Sequence, residues 1–91
     1  MSDLSVAGDG PGRFTVEVRQ GGSTTTHSVE ASSATLEGLG LGAADPERVV
    51  RESFEFLLER EPATSILRQF SLDVIPRYFP EYRDELRRRL A

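Results

Sequence analysis

Between positions 46 and 60 apolar residues recur at helical spacing. At about 100° per residue Val50, Phe54, Leu57 and Leu58 fall on one stripe, with Arg48, Arg51, Glu52, Glu55 and Glu59 opposite. The pattern predicts an amphipathic helix around which the rest of the chain packs. Asp45 is placed to cap its first amides, Pro46 suits the first helical position, and Glu47 complements the positive end of the dipole. Pro62 disfavours helical geometry at Glu61, so the helix should close near Arg60. Val49 and Phe56 stand on the shoulder of the main stripe and give the helix a second apolar side. The C-terminal segment, a second subunit or a partner must cover it.

Upstream the period changes from helical to alternating. Phe14, Val16 and Val18 alternate with Arg13, Thr15, Glu17 and Arg19, as in a half-buried strand, and Gly21-Gly22 supplies the positive backbone angles of a tight hairpin turn. With those glycines as the turn, Val18 faces Thr25, Val16 faces His27, Phe14 faces Val29 and Arg13 faces Glu30. A slip by one residue would bring the polar set Thr24, Thr26, Ser28 and Glu30 onto the apolar face. Residues 1–12 are rich in Gly, Asp and Ser and are expected to be a disordered leader.

After Ala31, a serine cap at Ser32 or Ser33 opens one or two helical turns. Gly40 closes them with a left-handed residue that brings Leu36 against Leu41, so that Leu36, Leu39 and Leu41 plug the base of the main helix. Beyond Arg60 the prolines divide the chain into short segments, each with an apolar stripe: Ile66, Leu67 and Phe70; Leu72, Val74, Ile75 and Phe79; Tyr82, Leu86 and Leu90. Pro76 belongs in the first turn or two of its helix. The fold class is therefore α+β. An N-terminal antiparallel hairpin (13–31) packs on a central amphipathic helix with three or four short helices (helical part 33–90), in one domain over 13–91.

Composition narrows what such a domain can do. A chain of 91 residues buries only about two thirds of its unfolded surface, and with no Cys and one His it has neither disulfide staples nor the ligands of a structural zinc site. No apolar run approaches membrane-spanning length, and residues 1–12 lack the pattern of a secretory signal, so a cytoplasmic location is expected. Net charge is -4, acids outnumber arginines before residue 62, and arginines prevail after it. The eleven cations are all arginine.

Candidate chemistry is sparse. His27 stands on the inner face of the hairpin with no second His, no Cys and no acid cluster, which reads as a packed structural residue and not as a catalyst or metal ligand. Glu52, Glu55 and Glu59 are interleaved with Arg48 and Arg51, as on a solvated salt-bridge face. Arg77-Tyr78-Phe79-Pro80-Glu81-Tyr82 is the densest aromatic cluster, and Tyr with Arg is the mixture favoured where proteins meet. Val49, Phe56, Arg77, Tyr78 and Tyr82 are the candidate interaction surface; no catalytic, cofactor or metal residue is assigned.

The run Ser53-Phe54-Glu55-Phe56-Leu57-Leu58-Glu59-Arg60-Glu61-Pro62, followed by Ser65-Ile66-Leu67 and Arg77-Tyr78-Phe79-Pro80-Glu81-Tyr82, resembles a group of short bacterial hypothetical proteins without an established function. The order of strand Thr26 to Ala31, short Leu36 segment and helix from Pro46 resembles a ribbon-helix-helix DNA-binding domain. It departs from that domain in three features: a complete hairpin precedes the helices, Gly38 and Gly40 erode the first helix, and the would-be reading strand carries Glu30 and no Arg or Lys. The reading that follows is a non-enzymatic, self-associating protein-interaction module that needs no cofactor and touches neither membrane nor nucleic acid. A DNA-binding regulator or antitoxin is the alternative.

Overall fold

The computed structural model describes residues 3–91. Strand β2 (Arg13–Gln20) and strand β3 (Ser23–Glu30) form the hairpin, in the register derived above. Gly21 and Gly22 have φ of 58° and 83°, the left-handed pair that matches a tight turn to the twist of its strands. Val16, Val18, Thr25, His27 and Val29 are buried on one face, and Thr24, Thr26 and Glu30 are exposed on the other.

Two strands flank this hairpin that the sequence reading did not place. Asp3–Gly8, within the expected disordered leader, forms strand β1, antiparallel to β2 with Leu4 opposite Val18 and Val6 opposite Val16. Met1 and Ser2 lie outside the described residues. Two apolar residues in alternation are too weak a signal alone, but beside Val16 and Val18 they extend an apolar face that already exists. Gln69–Ser71 forms strand β4, parallel to β3, where a helical segment was expected. The sheet order is β1-β2-β3-β4.

The helices cover one face of this sheet. Helix α1 (Ser33–Gly38) opens on Ser32, whose hydroxyl accepts from Thr35 N at 3.3 Å. It ends in a Schellman motif: Leu41 N donates to Leu36 O at 2.8 Å, Gly40 N donates to Glu37 O at 3.0 Å, and Gly40 has φ 75°. Helix α2 (Pro46–Leu58) starts after Asp45, whose side chain makes no capping bond. Helix α3 (Ile75–Tyr78) carries Pro76 in its first turn, and helix α4 (Tyr82–Leu90) closes the chain.

The second apolar side of α2 is covered by its own chain. The Phe56 ring meets those of Tyr82 and Phe79 edge-on at centroid distances of 5.4 and 5.9 Å, and the Arg60 guanidinium lies 3.6 Å above it. Arg89 of α4 reaches Glu59 with 2.7 and 2.8 Å bonds, and Arg60 reaches Glu81 at 3.2 Å. Inside, Ser53 donates to Val49 O at 2.6 Å and lies 2.6 Å from the Tyr82 hydroxyl. A carbonyl only accepts, so the single Ser53 proton goes to Val49 and Tyr82 must donate to Ser53.

Candidate interaction groove

The parallel strand β4 shapes the surface beside it. Residues 61–67 return from α2 to the sheet edge and are pinned there by polar contacts. Gln20 Oε1 of β2 accepts from Ala63 N at 2.9 Å, Ser65 N donates to Pro62 O at 2.9 Å, and Ser28 N of β3 donates to Arg68 O at 2.7 Å. His27 completes the pinning. Its Nδ1 lies 2.8 Å from Leu67 O and its Nε2 lies 2.8 Å from Thr25 Oγ1. Leu67 O can only accept, so Nδ1 carries a proton, and in the neutral ring Nε2 accepts from the Thr25 hydroxyl. His27 is buried, packs 5.3 Å from the Phe54 ring, and has both nitrogens engaged within the chain.

This pinning leaves an open groove of about 430 Å³ between the end of α2, the return segment and α3. Leu57, Ile66, Phe70, Ile75 and Phe79 supply apolar walls, and Glu61 and Ser65 are its polar lining. Leu67 and Tyr78 also line it, and they are the exposed large hydrophobic residues among those described, at 54% and 70%. Leu67 is held out by a backbone bond, since its carbonyl serves His27 on the inner side. Helical spacing wrongly grouped it with Ile66 and Phe70: in extended chain neighbouring side chains alternate, so Ile66 is buried and Leu67 is not.

The predicted interaction surface divides accordingly. Val49, Phe56 and Tyr82 are fully buried in the chain's own core and are unavailable as a contact surface in this fold. The second stripe of α2 marked a helix–helix interface within the chain, which one sequence cannot distinguish from an interface between chains. Tyr78 and Arg77 are exposed, and Tyr78 lines the groove. Sequence reasoning missed Leu67, and no local signal could have found it, because its exposure follows from β4 and from a bond to a residue forty positions away.

Ionisable groups with shifted affinities gather on the α2–α4 side, away from the groove. Burial raises the Glu55 carboxyl, and neighbouring Glu52 pushes it the same way. The hydrogen bond from Arg89 lowers Glu59 and correspondingly raises Arg89. Burial pushes the Tyr82 phenol up to about 12. Among the described residues no three His, Asp or Glu side chains converge to hold a metal, and no helix is long and apolar enough to cross a membrane. Neither a protein-family model, nor a curated protein, nor a solved structure matches the chain.

Proposed function

We propose that the chain is a non-enzymatic protein-interaction module, working in the cytoplasm, that associates with itself and offers the Leu67–Tyr78 groove to a protein partner. The observation that carries the reading is the pairing of an apolar groove with two large apolar side chains held out at its rim. Water around such side chains is released when a partner covers them, and aromatic anchors beside a pocket are where binding energy concentrates. Among the described residues no buried side-chain nitrogen or oxygen lacks a hydrogen-bond partner. In the ribbon-helix-helix alternative Thr26 to Ala31 would supply the reading strand, whereas here Thr26 to Glu30 belong to the interior strand β3, paired with β2 along its length and with β4 at Ser28, Val29 and Glu30.

The test is a photo-crosslinking amino acid placed in turn at Leu67, at Tyr78 and, as control, at Thr24 on the polar face of the sheet. Discrete protein adducts from the first two positions and not from the third are expected in cells. Adducts that are absent, or equal at all three positions, would remove the groove from the account.

A further inference from the structure

We propose that two copies of the chain join along β1, antiparallel across a two-fold axis at Ser5, so that two four-stranded sheets become one. The inference rests on the self-association read above and names the surface that mediates it. The sheet register decides which backbone groups are open. A two-residue turn is closed by a hydrogen-bonded pair, here Gln20 and Ser23, and alternation then directs the groups of Val18, Val16 and Phe14 toward β3. Those of Arg19, Glu17 and Thr15 face the other way, toward Asp3, Ser5 and Ala7, and the 2.8 Å bond from Asp9 N to Arg13 O continues the series. Leu4 and Val6 are left with N–H and C=O turned outward. Arg51 confirms the direction by donating to Leu4 O at 3.3 Å, which occupies one of the two lone pairs of that carbonyl.

The chemistry of this edge fits a second copy. Its open groups are self-complementary: about a Ser5 axis, Leu4 of each chain meets Val6 of the other, and both residues exchange backbone bonds. Leu4 and Val6 are half-buried on the core face, so their pairing carries the apolar side of one sheet into the next. Asp3 then opposes Ala7, and no like charges meet, whereas an axis at Val6 would set Asp3 against Asp9. The other edge, β4, is three residues long and runs directly into a helical turn, which offers little ladder to a partner. β1 is twice that length and contains no proline.

Proline at Val6 removes an outward N–H and no bond of the chain's own ladder, so Val6→Pro should remain folded by circular dichroism while its dimer weakens by on the order of tenfold or more in sedimentation. A cysteine gives an independent reading, because the chain has none of its own. Ser5 would oppose its copy as a non-hydrogen-bonded pair, with Cα atoms about 4.5 Å apart, a spacing that a disulfide spans. Ser5→Cys should therefore oxidise to a covalent dimer faster than Ala7→Cys or Thr24→Cys. If the wild type dimerises but Val6→Pro dimerises equally and Ser5→Cys shows no advantage, the edge assignment fails while self-association stands. If the wild type is monomeric throughout the micromolar range and Ser5→Cys has no advantage, both fail.

Discussion

Replacing Ser53 by alanine should cost more than removing the hydroxyl that Ser53 receives. Tyr82 donates to Ser53 at 2.6 Å and Ser53 donates to Val49 O at 2.6 Å, and both side chains are fully buried. Ser53→Ala strands the Tyr82 hydroxyl without a partner, which carries the full desolvation cost of about 1–3 kcal/mol. Val49 O retains its helical bond. Tyr82→Phe removes the stranded group itself, leaves Ser53 donating to Val49, keeps the ring against Phe56, and should cost about 0.5–1.5 kcal/mol. The double variant has no orphan, so it should be no less stable than Ser53→Ala, with a coupling of about 1 kcal/mol. For a domain this small each kcal/mol moves the melting temperature by about 4–8 °C, so thermal denaturation of the four proteins resolves the order. The proton assignment is refuted if Tyr82→Phe proves the costlier single change or if the two losses simply add.

Three further outcomes follow from the same packing. The Tyr82 phenol is raised from 10 to about 12 by burial, so its neutral form is favoured in the folded state. That contribution is whole below pH 10 and is lost as pH rises from there through about 12. At 1.36 kcal/mol per unit, about 2–3 kcal/mol of denaturation free energy should disappear over that window, and Tyr82→Phe should flatten the decline. Glu59 is lowered by the Arg89 hydrogen bond, so its stabilisation is present above about 4.5 and is lost as pH falls through its folded value. Because Glu59 is largely exposed, Glu59→Gln should remove only a small, salt-sensitive part of the acid limb of an equilibrium titration. Leu86→Ala, at a fully buried site of α4, should cost about 2–5 kcal/mol in urea denaturation, while exposed Arg88→Ala should change it by at most about 1 kcal/mol.

Local chemistry determined the hairpin, its register, the α1 cap and Schellman ending, the start of α2 and the place of Pro76, because each depends on residues a few positions apart. Gly21-Gly22 with Phe14, Val16 and Val18 leaves one register that buries the apolar set. The docked tail was legible for the same reason: Tyr82 and Leu86 keep helical phase and are both buried. Tertiary structure alone decided the rest. Leu4 and Val6 form a strand because β2 is there to receive them, and Gln69–Ser71 is extended because Ser28 and Val29 offer a parallel edge after a forty-residue excursion. Phe56 was recognisable as needing cover, but whether that cover came from Tyr82 and Phe79 or from another chain is a matter of where distant segments meet. The groove is the plainest case. Its shape follows from long-range bonds to Gln20 and His27, so the exposure of Leu67 was written nowhere in its neighbourhood.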